Sequence, residues 1–320
     1  MHFSDRLAKA IREKHNPTVM GLDPKLAYIP EALRLKAAKV SGNAFKAAAE
    51  SIVAYNFALI DAVADIIPAI KPQLAYYEWI GAEGLRAFDL TCRYAREKGL
   101  LVIADGKRND IGSTAEAYSG AFLGRTVLDG AGTTPVFDVD ALTVNGYLGA
   151  DGIEPFLSDC DAYEKGIFVL VKTSNPSSGQ LQDMKLADGR AVYEMMADLV
   201  VGWGKARIGH CGYSSVGAVV GATYPRQLEE MRRRMPCTLI LVPGYGAQGG
   251  TAGDVACAFD SDGLGAVVNA SRSLMCAWQK DSWKREHAET EFAAATRAEA
   301  IRMRDDLMEA LRNRTGGGVG

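Results

Sequence analysis

Short apolar runs alternate with longer segments of helical periodicity along most of the chain. Eight of these runs have the continuous apolar character of strands buried on both faces, as in a parallel sheet covered by helices. They lie at residues 18–23, 66–74, 100–104, 140–145, 166–173, 215–222, 237–243 and 264–270. Between them, the spacing of apolar residues predicts helices that include 45–63, 83–98 and 113–128. Eight such units predict a closed (β/α)8 barrel, an α/β fold with its functional groups at the C-terminal ends of the strands.

The ends of the chain add two helices to this alternation. Residues 1–15 are predicted to form a short amphipathic helix, and residues 286–312 a long one with Phe292, Met303 and Leu307 along one side. Hydrophobic residues (48%) are spread evenly, and no Pro/Gly/Ser-rich linker divides the 320 residues. We therefore predict one barrel domain over residues 1–314 and a flexible glycine-rich tail over residues 315–320. An open doubly wound sheet is the alternative, but no GxGxxG motif follows the first strand.

Composition and charge argue against several classes of function. The formal net charge is −3 and the basic residues are dispersed, so the phosphate-neutralising stripe of a nucleic-acid-binding protein is missing. The densest basic cluster, the arginines at 232–234, is interpreted as a solvated helix face. The N-terminus lacks the apolar core of a signal peptide and no segment reaches membrane-spanning length, so a cytoplasmic protein is expected.

Cysteine and histidine do not supply an obvious catalytic group. The six cysteines include no CxxC pair and are interpreted as reduced, mostly buried side chains. His210 and Cys211 are neighbours, but adjacent side chains on an extended chain point apart, which disfavours a nucleophile–base pair. Neither a zinc site nor a redox motif is therefore predicted.

Charged residues follow or interrupt the first three predicted strands. Asp23 ends the first strand, and Lys71 lies inside the second, where an unpaired ammonium would be costly. Lys71 is therefore expected to have a carboxylate neighbour. Asp105 and Lys107 follow the third strand at the two-residue spacing that puts side chains on one side, and Asp110 follows in the loop. The pattern predicts alternating charges at the mouth of the barrel.

Two features after the last strands favour a ligand that carries phosphate. The sequence PGYGAQGG, residues 243–250, supplies glycines whose backbone N–H groups can approach an anion, and Arg272 adds a forked cation. Loops after the last two strands are the usual phosphate position in such barrels. From the spacing alone, a tight structural turn is the alternative interpretation of these glycines.

The motif DGKRNDI, residues 105–111, followed by Thr114, closely resembles the signature of the orotidine 5'-phosphate decarboxylase family. A bare DxKxxD is shared with sugar-phosphate decarboxylases and aldolase-like synthases of the wider barrel superfamily. Five further matches to the family occur in order: GLDP with Asp23, IKPQ with Lys71, TSNPSSG with Ser174, PGYGAQGG with Pro243 and Gln248, and NASRS with Arg272. The length and the insertion at residues 25–42 are similar to the longer bacterial group of the family.

The resemblance implies removal of CO2 from C6 of orotidine 5'-monophosphate, giving uridine 5'-monophosphate (UMP), without a metal or organic cofactor. The electron pair left at C6 lies in the ring plane and cannot delocalise, so a preorganised positive charge must stabilise it. Lys107 is assigned as that cation and as the proton donor that follows, with Asp105 near the substrate carboxylate and holding Lys107 in position. Lys71 and Asp110 would extend the chain of alternating charges, and Lys71 and Asp23 would also reach ribose hydroxyls.

The resemblance also implies a homodimer with shared sites. In the family, the residues that match Asp110, Ile111 and Thr114 come from the partner subunit. The other expected substrate contacts are Ser174 at the pyrimidine edge, Gln248 between base and phosphate, Arg272 at the phosphate, and Pro243 in the phosphate loop.

Two alternative functions stay open at this point. One is a metal-dependent sugar-phosphate decarboxylase or lyase, for which Glu78 and Glu83 could supply ligands, although solvated carboxylates are the preferred interpretation. The other is a catalytically inactive nucleotide-binding regulator, which the intact Asp105, Lys107 and Asp110 disfavour because phosphate binding alone does not require them. Three further residues also end strands, Asn145, Lys172 and Thr173; they are assigned a supporting role, with satisfaction of polar groups in the core as an equally good interpretation. Tyr245 occupies a turn position where the short-chain relatives are expected to have a smaller aliphatic residue, so a difference in the packing of the phosphate loop is expected.

Overall fold

The computed structural model describes residues 1–130, 132–246 and 250–316. These residues form ten strands: β1 (Thr18–Leu22), β2 (Ala69–Pro72), β3 (Leu101–Arg108), β4 (Thr126–Leu128), β5 (Gly132–Thr134), β6 (Ala141–Val144), β7 (Gly166–Lys172), β8 (Ser214–Val220), β9 (Thr238–Val242) and β10 (Ala266–Ala270). β4 and β5 pair as an antiparallel hairpin. The other eight strands close into a parallel barrel in the order β1–β2–β3–β6–β7–β8–β9–β10. Each barrel strand falls on one of the eight predicted runs, so the predicted (β/α)8 barrel is confirmed.

Helices surround the barrel. Within the described ranges they are α1 (Phe3–Lys14), α2 (Glu31–Val40), α3 (Ala44–Val63), α4 (Leu74–Glu78), α5 (Ala82–Glu97), α6 (Gly112–Phe122), α7 (Glu154–Tyr163), α8 (Val192–Gly204), α9 (Pro225–Arg234), α10 (Ala252–Ala256), α11 (Arg272–Met275) and α12 (Phe292–Gly316). The insertion at residues 25–42 contains a short 3-10 turn and α2. In the part of the chain that the structure describes, no helix is both long enough and apolar enough to cross a bilayer.

Alternation of side chains along the strands divides the core into two layers. Outward residues such as Met20 pack against the helices in the larger cluster, whereas inward residues such as Val19 and Phe168 fill the barrel. α1 closes the N-terminal end, where Phe3 meets Phe168 edge to face with ring centroids 6.0 Å apart. Apolar packing with α1 thus covers the N-terminal end, whereas the charged residues at the ends of β1, β2 and β3 meet at the C-terminal mouth.

Two predicted helix boundaries were wrong. The helix predicted over residues 113–128 ends at Phe122, because the carbonyls of Ala121 and Phe122 accept hydrogen bonds from the N–H groups of Phe137 and Val139 instead of continuing the helix. The hairpin of β4 and β5 occupies the segment that follows. The final helix begins at Phe292 rather than near residue 286, after a 3-10 turn, and residues 317–320 of the predicted tail lie outside the described residues.

Two further expectations need correction. β3 does not end at residue 104 but continues to Arg108, with a register shift against β6 between Ala104 and Arg108. The arginines at 232–234 form a solvated face only in part: Arg233 is exposed, but Arg232 is buried and its guanidinium donates to the carbonyl of Gly265 at 3.0 Å. The same carbonyl accepts from the N–H of Ile240 at 2.9 Å, so the guanidinium adds a second hydrogen bond to an oxygen that has two lone pairs.

Candidate active site

Asp105 on β3 is the centre of a buried hydrogen-bond network at the mouth of the barrel. Its Oδ2 accepts hydrogen bonds from Lys71 Nζ at 2.5 Å and from Gln73 Nε2 at 2.9 Å. Its Oδ1 accepts from Lys107 Nζ at 2.6 Å and from Thr143 Oγ1 at 2.8 Å. The expectation that Lys71 has a carboxylate neighbour is confirmed, and the structure joins Lys71, Asp105 and Lys107 of the predicted charges directly.

The two lysines differ in how far they are exposed. The side chain of Lys71 is 5% exposed and that of Lys107 is 47% exposed. Burial alone would lower the pKa of Lys71, but the charges of Asp105 and Asp23 outweigh it and raise that pKa. Burial likewise would raise the pKa of Asp105, but Lys71 and Lys107 hold it well below its ordinary value. Asp105 therefore stays ionised between two cations.

A local distortion of β3 places the ammonium of Lys107. Lys107 has a φ of +48°, in the left-handed region that non-glycine residues seldom adopt, within the register shift of β3 against β6. Its N–H donates to Thr143 Oγ1 at 3.0 Å, the same hydroxyl that donates to Asp105. Thr143 therefore fixes the backbone of Lys107 and also the carboxylate of Asp105, which the Lys107 ammonium contacts.

Asp23, at the end of β1, faces the same network. Its pKa is raised by burial, which the nearby charge of Lys71 offsets only in part. Among the described residues its Oδ1 is buried and accepts no hydrogen bond. A carboxylate oxygen with unused acceptor capacity at the mouth of a barrel can accept a hydroxyl group of a ligand.

Three adjoining cavities extend across the barrel mouth. We call them the inner, central and outer cavities, with volumes of about 440, 380 and 450 Å³. The inner and central cavities share Lys71, Asp105 and Pro243. The central and outer cavities share Tyr245 and Arg272. The charged network therefore lies between the inner and central cavities, and a guanidinium lies at the far end of the central one.

The inner cavity combines apolar and polar walls. Ser174 lines it together with Thr173 and Gln182, on the side formed by the loop after β7. Apolar residues from three strands form much of the remaining wall: Leu170, Val219 and Leu241. A flat heterocycle with polar atoms along one edge fits such a lining.

The central cavity ends at the predicted phosphate loop. Arg272 begins α11 there, and Pro243 and Gly244, which follow the neighbouring strand β9, line the same cavity. Tyr245 is buried, and its hydroxyl donates to Asp306 of α12, so the loop is attached to the C-terminal helix. Burial is the main reason why the pKa of Tyr245 is raised. The packing difference expected from Tyr245 thus takes the form of this contact, whereas Gln248 lies outside the described residues.

The remaining predicted residues lie on an exposed surface beside the mouth. Ile111 and Thr114 are exposed around the start of α6, and the carboxylate of Asp110 accepts from the N–H of Ile111 at 2.8 Å. Among the residues described in one chain, no hydrogen bond joins Asp110 to the network of Asp105. The two carboxylates considered as metal ligands contact guanidinium groups, Glu78 with Arg108 and Glu83 with Arg86.

Sequence reasoning missed several residues of the site. Gln73 was present in the IKPQ motif, and Thr143 lies two positions before Asn145 on β6, but nothing local indicates that both contact Asp105. Tyr28 and Tyr76 also line the central cavity. Tyr28 comes from the insertion after Asp23, and the ammonium of Lys25 lies 5.7 Å from both rings. An aromatic residue such as Tyr28, in an insertion that directly follows a strand end, was the feature of the sequence that could have indicated this part of the cavity wall.

Comparisons with known proteins agree with this geometry. The family model described as "Orotidine 5'-phosphate decarboxylase / HUMPS family" matches residues 49–279. A curated orotidine 5'-phosphate decarboxylase of Rhodopirellula baltica is 45% identical over 307 residues, covering 96% of this chain and 99% of that protein. The corresponding protein of Caldicellulosiruptor saccharolyticus is 40% identical over 279 residues, covering 87% and 91%.

Solved structures give the same relationship. The OMP decarboxylase of Leishmania donovani superposes with a TM-score of 0.66 at 28% identity, covering 94% of this chain and 99% of that one. A Streptomyces avermitilis structure superposes with a TM-score of 0.74 at 30% identity, covering 97% and 96%. On the family match and the similarity over nearly the whole length, the chain belongs to the orotidine 5'-phosphate decarboxylase / HUMPS family.

Proposed function

We propose that the protein is a cofactor-independent orotidine 5'-monophosphate decarboxylase, which forms UMP and CO2 in the final step of de novo UMP synthesis. The observation that carries the proposal is the Lys71–Asp105–Lys107 network between two cavities. The inner cavity fits a pyrimidine, and the central cavity, which Asp23 and Arg272 both line, fits a ribose phosphate. The family membership of the chain supports the same activity.

Lys107 is proposed as the catalytic cation. Loss of CO2 leaves an electron pair in the plane of the pyrimidine, where the π system cannot accept it, so a nearby positive charge must stabilise it. The ammonium of Lys107 is held at 2.6 Å from Asp105 and is half exposed to the inner cavity. The same group can then donate a proton to C6.

Asp105 is proposed to hold Lys107 and to lie near the substrate carboxylate. Two like charges at ~4 Å repel by roughly 4 kcal/mol at an effective dielectric of about 20, and departure of CO2 would relieve that repulsion. The lowered pKa of Asp105 supports this role, since a protonated acid would not repel the substrate. The more general role of Asp105 is to keep Lys107 in place before the substrate arrives.

The other predicted residues are proposed to bind the substrate. Asp23 and Lys71 would contact ribose hydroxyls, and Ser174 the pyrimidine edge. Arg272, with Pro243 and the neighbouring backbone, would bind the phosphate, and Gln248 would link the phosphate to the base. Phosphate contacts far from C6 can lower the barrier when they hold a loop over the substrate.

We also propose a homodimer in which Asp110, Ile111 and Thr114 complete the site of the partner subunit. Exposed apolar side chains around this segment support it: Ile111 is 54% and Tyr147 is 73% exposed. They lie on adjoining loops, because a Cβ at Gly152 would come within 3.2 Å of both the Asp110 carbonyl and Leu148. Large exposed apolar groups beside a site are typical of an interface.

A cytoplasmic location is proposed on the state of the cysteines. All six are unpaired in the structure, three of them buried. Unpaired cysteines are typical of a reducing compartment.

The experiment that tests the proposed function follows the loss of orotidine 5'-monophosphate absorbance, with and without EDTA. We expect turnover that EDTA leaves unchanged. No turnover would reject the proposed activity and favour a nucleotide-binding regulator, and EDTA-sensitive turnover would favour a metal-dependent enzyme.

A further inference from the structure

Lys172, the last residue of β7, is a buried cation that the proposed mechanism does not use. Its side chain is 1% exposed, and its ammonium donates to Asp183 Oδ1 at 2.7 Å and to Ser178 Oγ at 3.1 Å. The rings of Tyr224 and Tyr193 lie 5.1 and 5.7 Å from it. A buried ammonium is tolerated only when it is paired in this way, so its contacts constrain the groups that surround it.

The partners of Lys172 fix the loop over residues 173–183. Asp183 is preceded by Gln182, whose Oε1 accepts from the N–H of Thr173 at 2.9 Å and whose Nε2 donates to Thr173 Oγ1 at 2.8 Å. Thr173 Oγ1 in turn donates to Asn175 Oδ1 at 2.6 Å. The last two residues of the loop, Gln182 and Asp183, are therefore hydrogen-bonded through their side chains to Thr173 and Lys172 at its beginning.

Ser174 lies between these fixed points. Its backbone packs against Gly221, where a Cβ would come within 2.9 Å of Ser174 N and Cα. The N–H of Gly221 also donates to the carbonyl of Lys172 at 2.8 Å, so β8 supports the same turn. Ser174 is thereby held in the wall of the inner cavity, together with Thr173 and Gln182.

We propose that Lys172 is a positioning residue for recognition of the pyrimidine. Through Asp183 and Ser178 it holds the loop in the conformation that presents Ser174 to the base, and it does not touch the substrate itself. This inference rests on the proposed function, in which Ser174 binds the pyrimidine edge. Lys172 and Asp183 would then contribute to substrate selectivity although neither side chain contacts the substrate.

Two variants and a control test the proposal. Lys172→Met removes the charge and keeps the length of the side chain. Asp183→Asn removes the other charge of the pair. Because the Asp183 side chain is 45% exposed and the amide has nearly the same size, this variant tests the pair without creating a cavity in the core. Lys185→Met is the matched control, because Lys185 lies nearby in the chain with a 66% exposed side chain.

The readout compares a ligand with a base and a ligand without one. For Lys172→Met and Asp183→Asn we expect the Kd of UMP to rise about tenfold and that of ribose 5-phosphate to stay within about twofold, by titration calorimetry. The KM of orotidine 5'-monophosphate should rise about as much as the Kd of UMP, with kcat changed less than about threefold. Lys185→Met should match the wild type.

The possible outcomes separate this inference from the proposed function. Wild-type protein without turnover overturns the proposed function, and this inference with it. If the wild type turns over the substrate, two results in the variants would overturn the positioning role alone. One is an equal loss of affinity for UMP and for ribose 5-phosphate, and the other is no loss of affinity for UMP. If Lys172→Met does not fold, Asp183→Asn decides between these results.

Discussion

At the scale of single residues, Asp105 determines the charge balance of the site. Its carboxylate forms ion pairs with two ammonium groups, that of the buried Lys71 and that of the half-exposed Lys107. The buried lysine supplies a fixed positive charge that keeps Asp105 ionised, and Asp105 in turn orients the lysine that faces the inner cavity. A structural role and a proposed catalytic role therefore fall on the same side chain, and substitutions can separate the two.

Lys107→Ala tests the catalytic demand. Because the stabilisation from this ammonium is needed mainly in the transition state, turnover of orotidine 5'-monophosphate should fall about a thousandfold or more. The affinity for UMP should stay within about tenfold, since product binding does not require that stabilisation. Steady-state kinetics and calorimetry measure the two effects, with the exposed Lys39→Ala as the control. Near-normal turnover in Lys107→Ala would remove Lys107 from the mechanism.

Asp105→Asn tests the structural demand. The substitution leaves Lys71 buried against a neutral amide, and breaking a buried pair in this way should lower the free energy of unfolding by about 3 kcal/mol. Urea denaturation measures the loss. The double variant Lys71→Met/Asp105→Asn removes both charges of the buried pair and should regain part of the loss, less what Asp23 loses with the ammonium beside it. A single variant as stable as the wild type would show that Asp23 alone can compensate Lys71.

At the scale of elements, the local sequence pattern was sufficient to predict where the barrel strands lie, but it was not sufficient to predict where individual elements end. A strand buried on both faces must be apolar throughout, so β7 and β9 are visible in the sequence without knowledge of their neighbours. The end of α6 depends instead on the N–H groups of Phe137 and Val139, which return to it from the far side of a hairpin. The left-handed φ of Lys107 likewise depends on Thr143, 36 positions away. Such boundaries follow from tertiary contacts and could not be predicted locally.

The long helix α12 provides a prediction at this scale. Its Glu299 is 2% exposed and accepts hydrogen bonds from Lys280 and Trp283, which attach the helix to the segment after α11. Burial alone would raise the pKa of Glu299, but hydrogen bonds from Arg302, Lys280 and Trp283 lower it from 4.5 to about 2. A lowered carboxylate pKa contributes stability that is complete above the unfolded value and is lost as the pH falls toward the folded one.

The free energy of unfolding should therefore decrease between about pH 4.5 and pH 2, with about 3 kcal/mol of that decrease due to Glu299. Glu299→Gln should be less stable than the wild type at pH 7 and should lack that part of the acid dependence. Glu309→Gln is the matched control, an exposed glutamate on the same helix. Denaturation series at several pH values measure both, and parallel pH curves for Glu299→Gln and the wild type would contradict the prediction.

At the scale of the whole molecule, the site is assembled from strands that are distant in sequence. Closure of the barrel brings Asp23, which follows β1, beside Lys71 and Asp105, and places Arg272 after β10 and Ser174 after β7 in the walls of adjoining cavities. The family motifs indicated most of these residues, but the contacts of Gln73 and Thr143 required the barrel register. The carboxylate of Asp110 accepts a hydrogen bond from the N–H of Ile111, outside the hydrogen bonds that join Lys71, Gln73, Lys107 and Thr143 to Asp105, and its proposed role in a second subunit needs its own test.

Mixing two inactive variants tests whether the sites are shared between subunits. Lys107→Ala and Asp110→Ala should each be inactive alone, because each removes one half of both sites in a homodimer. In a mixed dimer, one site combines the intact Lys107 of the Asp110→Ala chain with the intact Asp110 of the Lys107→Ala chain. Random exchange of equal amounts gives half mixed dimers with one active site each, so about a quarter of the wild-type activity should return. Subunit exchange is verified independently by native mass spectrometry of differently tagged chains, and no recovery despite confirmed exchange would show that each barrel contains its whole site.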